Sequence, residues 1–300
     1  MESDKEKKKI RVSASQYSKW IQCPQRWFLD YAKKLRKFEG SLNTCFGTAM
    51  HETLQTYIKT LYTDSLEAAE TLKLKSIFKE TFDREIKKSE KDLKYTEDEY
   101  TGFCFDGEDI IDAFLKTSER LKHFPRKKYK FIGIELPLEL DIRENLQFVA
   151  FLDLVLFDIE NQKYKIFDFK TSSSGWNPHM KEDESKTNQL LLYKSFYSKI
   201  YNVPLEKIEI EFLILKRKLY ENVSFPQSRL QKFTPPHTKR AIVECIDGFT
   251  NFINQCFTKD GEYNLQGKFY KNPGKNKKNC KYCIHKKVNC DAKSDIEDDV

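Results

Sequence analysis

The sequence predicts an α/β fold, a central mixed β-sheet flanked by helices, with a helical elaboration at its N-terminal side. Three observations carry this expectation. Residues 13–123 are dominated by helical spacing; three short β-rich runs split by polar turns follow between 129 and 171; and a helix and a further strand come after them.

Taken in order, "SASQYSKWIQCPQRWFLDYAKKL" (13–35) spaces Tyr17, Trp20, Ile21, Trp27, Phe28 and Tyr31 near the helical period. Ser13 or Ser15 is its N-cap, and Pro24 predicts two helices meeting just after Cys23. "FGTAMHETLQTYIKTLY" (46–62) is a helix with Met50, Leu54, Tyr57, Ile58 and Leu61 as its buried stripe. Residues 64–92 read as one long charged helix and 108–123 as another. "YKFIGIELPLEL" (129–140), "QFVAFLDLVLFD" (147–158) and "KYKIFDFKT" (163–171) are strands. A helix is expected at 186–202, a strand at 207–218 and a last long helix at 237–257. The first ten or so residues read as a disordered basic arm. With no repeat and no linker composition, residues 1–300 are expected to form a single domain, with 64–125 a helical insertion and 129–218 the core.

Composition narrows the class. Of 300 residues, 39% are apolar, and 23 Phe, 15 Tyr and 3 Trp can build a substantial core; 10 Gly and 9 Pro do not suggest a low-complexity chain. No apolar run reaches the roughly 18 residues of a membrane span, so none is expected. "MESDKEKKKIR" has no apolar stretch behind its charges, as a secretory signal would, so the expected compartment is cytoplasmic, in a bacterium or in the host of a virus. In a reducing compartment the eight cysteines are thiols or metal ligands before they are a disulfide framework. The net charge of +7 is modest, but seven lysines and no acid lie between Lys271 and Lys287, ahead of the acidic tail "DAKSDIEDDV". That patch suits phosphates or is a solvated lysine-rich loop.

Three residues carry the sharpest chemistry. Residues two apart on a strand share a face, so "IFDFK" points Asp168 and Lys170 one way and Phe167 and Phe169 the other. Asp153 sits in "FVAFLDLVLFD" among apolar neighbours, where a carboxylate is costly unless paired or bound to a cation. A turn at "IENQ" would pair the two strands antiparallel and bring the three groups together. Two carboxylates beside a lysine suit Mg²⁺ or Mn²⁺, with the lysine polarising a water or stabilising phosphate charge; a buried ion pair is the alternative.

Asp153 followed by "DFK" resembles the signature of PD-(D/E)XK nucleases, with Leu152 where the family name has proline. The company it keeps resembles the RecB-type branch, which includes the RecB and AddB nuclease domains and the nuclease of CRISPR adaptation. "FGTAMHETL" looks like that branch's histidine helix, with His51 a metal ligand and Gly47 allowing close packing. "FIGIELPLEL" supplies Glu135, a second metal ligand or a support, and "QLLLYKSFY" looks like the Gln-x-x-x-Tyr helix in which Gln189 and Tyr193 line the site. The resemblance spans residues 13–60 and 129–290 and implies a restriction-endonuclease-like core in which His51, Asp153, Asp168 and the Phe169 carbonyl hold one or two Mg²⁺ or Mn²⁺ ions and Lys170 assists. By the same analogy 64–125 would form an arch that threads a single strand. Trp176, after "TSSSG", stacks a base or packs its loop.

The chain end carries C-x2-C-x6-C, namely Cys280, Cys283 and Cys290. His285 would complete a local site, but one residue between it and Cys283 is too short for a familiar zinc knuckle. Iron–sulfur members of the branch join one N-terminal cysteine, often followed by proline, to three C-terminal ones around a [4Fe–4S] cluster, and Cys23–Pro24 matches. The resemblance thus implies an iron–sulfur staple joining 11–35 to 270–291, with zinc as the alternative occupant. The other cysteines, Cys45, Cys104, Cys245 and Cys256, read as buried small apolar residues.

The expectation is a DNA exonuclease acting on single-stranded or end-bearing DNA in recombination, repair or replication. No GxxxxGK[ST] loop occurs, so unwinding would need a separate helicase or recombination partner. The alternatives are an endonuclease of CRISPR spacer processing or branched DNA, and a non-catalytic iron–sulfur DNA-binding subunit.

Overall fold

The computed structural model describes residues 9–36, 40–89 and 93–290. Most of the expected basic arm and the acidic tail from 291 lie outside them. The chain begins with strand β1 (Ile10–Val12), helix α1 (Ala14–Gln22) capped by Ser13, and the short α2 (Pro24–Trp27), which runs on as a π-helical turn (Phe28–Ala32). Cys23 is extended between the two helices, as Pro24 requires.

Helix α3 (Leu42–Thr63) buries the whole expected stripe. The single helix expected over 64–92 is two, α4 (Leu66–Glu70) and α5 (Leu74–Ser89). At about 100° per residue, Ala69 and Phe78 would lie on opposite faces of one continuous helix. Both are buried, so the chain breaks and resets its phase at 71–73. The next helix starts earlier than expected: α6 spans Glu97–Leu115, and α7 (Thr117–His123) is separated from it by an extended Lys116. A capping box between Thr96 and Glu99 fixes the start of α6.

Strands β2 (Tyr129–Arg143), β3 (Leu146–Asp158) and β4 (Lys163–Ser172) form a meander; α8 (Pro178–Glu182), α9 (Glu184–Tyr201), β5 (Ile208–Lys216), β6 (Leu230–Phe233) and α10 (Lys239–Cys256) complete the order. The sheet is mixed and six-stranded. β3 pairs antiparallel with β2 and β4 and parallel with β1; β4 pairs parallel with β5, and β5 antiparallel with β6. Two helical layers cover it. On one face α1, α9 and α10 pack through Tyr17, Leu190, Phe196, Phe249 and Phe252 onto Phe148, Leu152, Ile166 and Phe212. On the other, α3 to α6 pack onto Leu154, Leu156, Phe167 and Phe169. Phe46, Phe78, Phe82 and Phe114 fill the space beneath α4 to α6, so among the described residues this segment is a packed layer and not an open arch. No helix among the described residues is long and apolar enough to cross a membrane.

Candidate active site

The site forms where β3 and β4 part. Their ladder runs from Asp158 opposite Lys163 to Leu154 opposite Phe167 and stops. β3 also changes facing at this point: Phe148 and Leu152 point into one layer, Leu154 and Leu156 into the other. Asp153 stands at the change. Its Oδ2 accepts the Phe169 N–H at 2.6 Å, a backbone donor that the finished ladder would otherwise have used. Its backbone carbonyl takes the Gln55 amide of α3 at 3.1 Å, and the same Gln55 nitrogen donates to Glu135 Oε1 at 2.7 Å. Glu135 has φ +48° in the middle of β2. A non-glycine residue in the left-handed region stores strain, which concentrates at functional sites.

Asp168 and Lys170 share the α9 face of β4, as alternation required. Lys170 Nζ lies 2.8 Å from Asp168 Oδ2, and Gln189 Nε2 donates to Asp168 Oδ1 and lies 2.8 Å from the Tyr193 hydroxyl. From the opposite layer His51 Nδ1 comes within 3.5 Å of Asp153 Oδ2, its ring edge-on to Phe169. The structure therefore brings together His51, Glu135, Asp153, Asp168, Lys170, Gln189 and Tyr193. Gln55 was missed by sequence reading, although it lies one turn beyond His51 on the same helix. A Cβ on Gly47 would meet only Thr171 Oγ1 at an ordinary 3.4 Å, so close packing does not require glycine there. Trp176 is buried against Phe212 and Phe233; it packs its loop and offers no free face for stacking.

Electrostatics mark the centre. Burial, then the neighbouring Asp168, pushes the Asp153 carboxyl well above the usual range. Burial pushes His51 down to about 4, leaving a neutral imidazole with a lone pair. Burial works against the Lys170 charge, but Asp168 and Asp153 outweigh it and raise its pKa. Burial also raises the Tyr193 phenol. One ammonium thus faces a buried carboxylate, Asp168, and a half-buried one, Asp153, and Asp168 Oδ2 has no hydrogen bond of good geometry despite the nearby lysine. A hard divalent cation is the group such a set lacks, so the residues fit one. Their side chains are engaged with one another: among the described residues no three His, Cys, Asp or Glu groups converge on a point where an ion would sit.

At the other end of the molecule, Cys23, Cys280, Cys283 and Cys290 line one cavity together with Arg26, Leu29 and His285. Tyr270 accepts from the Gln25 N–H, Asn279 donates to the Gln22 carbonyl at 2.7 Å, and Asn272 N–H points at Cys23 Sγ. None of the eight cysteines, all among the described residues, forms a disulfide. Burial raises the Cys280 pKa, and the other three cavity thiols raise it further. His285 is not a ligand candidate: its Nε2 is 2.7 Å from buried Asp30 Oδ1 and its Nδ1 3.3 Å from Asn289. Lys19 completes this buried set, 2.5 Å from Asp30 Oδ2. Cys45, Cys245 and Cys256 are buried as expected; Cys104 is only half-buried.

A family model described as the PD-(D/E)XK nuclease superfamily matches residues 11–290. Among solved structures, a "Putative exonuclease" from Eubacterium rectale aligns over 96% of this chain and 91% of its own, with a TM-score of 0.53 and 12% identity, a likeness of fold. Among curated proteins, "Putative autophagy-related protein 11" of Plasmodium falciparum (isolate 3D7) is 27% identical over 159 residues, 47% of this chain; the chain spans 12% of that relative's length.

Proposed function

The chain belongs to the PD-(D/E)XK nuclease superfamily, and on that premise we propose that it is a metal-dependent deoxyribonuclease of RecB type, acting as an exonuclease on single-stranded or end-bearing DNA. The single observation that supports this most is the parting of β3 and β4 at Asp153, which presents the half-buried Asp153 and the buried Asp168 to one lysine. His51, Asp153, Asp168 and the Phe169 carbonyl would hold Mg²⁺ or Mn²⁺, with Glu135 as support or second ligand. When bound, the metal supplies an activated water and neutralises phosphate charge. Lys170 holds a positive charge beside the scissile phosphate, and Gln189 and Tyr193 fix the orientation of Asp168. Gln55 fixes Asp153 and Glu135 relative to α3.

The four-cysteine cavity would hold a [4Fe–4S] cluster. Cys23, Cys280, Cys283 and Cys290 would be its thiolate ligands. A cluster there would tie 11–35 to 270–290 and set the lysines of 271–287 toward DNA. A separate helicase or recombination partner would supply unwinding. Exonuclease action draws its support from the fold likeness to the Eubacterium rectale protein.

The test uses protein purified without oxygen and labelled linear single-stranded, linear duplex and circular single-stranded DNA, each with Mg²⁺, Mn²⁺ or EDTA. Metal-dependent loss of linear strands with circles intact is expected. Cleaved circles would make it an endonuclease, and no metal-dependent cleavage would overturn the reading.

A further inference from the structure

Strands β5 and β6 are antiparallel neighbours, which about 2–5 residues suffice to join. Here residues 217–229 join them, and connections of that length are uncommon unless they carry a function. The base of this arm is firmly built. Arg217 pairs with Asp106 of α6 at 3.4 Å and lies over the Phe103 ring at 4.0 Å. Lys218 pairs with the same carboxylate at 2.9 Å, and Arg229 pairs with Asp109. Gln227 then closes the arm, accepting the Tyr220 N–H and donating to the Tyr220 carbonyl, both at 2.8 Å. Asn222 turns the chain at φ +55°, which asparagine tolerates.

Beyond that base residues 220–226 are all exposed, Tyr220 by 61% and Phe225 by 58%. Trp176, in the loop after β4, is by contrast buried. The arm stands beside the candidate active site. The β4–β5 ladder sets Lys170 opposite Ile214 and Ser172 opposite Lys216, and the N–H groups of Arg217 and Lys218 extend it to the Ser172 and Ser173 carbonyls. The arm therefore starts roughly 7–10 Å beyond Lys170 along the strand. Arg217, Lys218 and Arg229 are spent on α6, and Glu221 is an acid near the tip. Charge is therefore not what the exposed part offers. It offers two aromatic side chains on a closed loop.

We propose that Tyr220 and Phe225 stack unpaired bases of the nucleic-acid strand whose backbone runs through the candidate active site. This rests on the nuclease reading for the identity of the strand. Stacking asks for a ring face on a firm support, and it accepts any base. A duplex keeps its bases stacked on one another, so the arm favours single strands and frayed ends. No phosphate is gripped, so the affinity it adds is one that salt does not screen.

The test is binding of a fluorescent oligothymidine, read by anisotropy in EDTA across a salt series, so that cleavage plays no part. An abasic oligonucleotide of the same length serves as the second ligand. Tyr220→Ala and Phe225→Ala are each expected to weaken thymidine binding about tenfold, one stacked base lost. Both should bind the abasic strand as the parent does, with the log–log salt slope unchanged. Phe225→Trp should keep thymidine affinity, and its added fluorescence should be quenched by the thymidine strand alone. Both side chains are exposed, and melting temperatures report that the fold is intact. Thymidine affinities equal to the parent's would overturn the proposal, leaving the rings to a protein partner. Equal weakening for thymidine and abasic strands would also overturn it, since the bases would then play no part. Cleavage by the unaltered protein with Mn²⁺ is scored separately. If it fails while the base-dependent loss holds, the arm stands and the nuclease reading falls.

Discussion

The candidate active site and the cysteine cavity both gather residues from far apart in the chain, but they are built differently. The centre hangs on strands: Asp153, Asp168 and Lys170 are set by the β3–β4 register, and each carboxylate already has an internal partner. The cavity hangs on turns and side chains, with the 270–290 segment held to α1 and α2 by Asn279, Asn272 and the buried Asp30–His285 pair. A substitution in the first should therefore remove chemistry and leave the fold. A substitution in the second should loosen the closure and reach chemistry only indirectly.

The largest expected effect is in the centre. Lys170→Ala should lower DNA cleavage by about 10³-fold, the scale of a lost charge-stabilising donor, while iron content stays that of the parent. Cleavage at parental rate, read from a labelled linear strand, would remove Lys170 from the chemistry. In the cavity, Cys23→Ser should lose iron and sulfide as completely as Cys283→Ser, by elemental and sulfide analysis. Retained cluster in Cys23→Ser would break the link between the two ends.

The closure itself is tested by His285→Ala, which leaves Asp30 its Lys19 partner but removes one buried hydrogen bond. Losing such a bond costs about 1–3 kcal/mol, so limited proteolysis should cut within 270–290 before the sheet unfolds. The pH dependence has a definite sign. Burial works against the Asp30 charge, but Lys19 and His285 outweigh it and hold its pKa below the ordinary carboxylate value. A depressed folded pKa contributes stability that is full above the unfolded value, about 4, and is lost as pH falls through the folded one. The closure should loosen in acid, and an unchanged proteolysis pattern there would contradict it. The smallest effect belongs to neither region: Thr96→Ala, which removes the capping box of α6, should cost about 1 kcal/mol and move neither cleavage nor iron.

What the sequence made legible follows the same division. The stripe of α3 and the shared face of Asp168 and Lys170 depend on local periods of 3.6 and 2, so they could be read directly. The break between α4 and α5 was hidden because no glycine or proline marks it; only the burial of both Ala69 and Phe78 demands it. Thr96–Glu99 is a capping signal legible in the sequence, and it fixes the start of α6. Gln55, the strained Glu135 and the Asp30–His285 pair were not legible, because each depends on where two distant elements cross.

On the proposed reading, Asp153 and Asp168 form a metal site kept at a cost to stability. Asp168→Asn, followed by melting temperature with and without Mn²⁺ alongside cleavage of linear DNA, tests it most directly. Relief of the repulsion on Asp153 should leave the melting temperature of the metal-free protein equal to or above that of the parent. Both cleavage and the upward shift given by Mn²⁺ should disappear. A variant that still cleaves, or that keeps the full Mn²⁺ shift, would contradict the account.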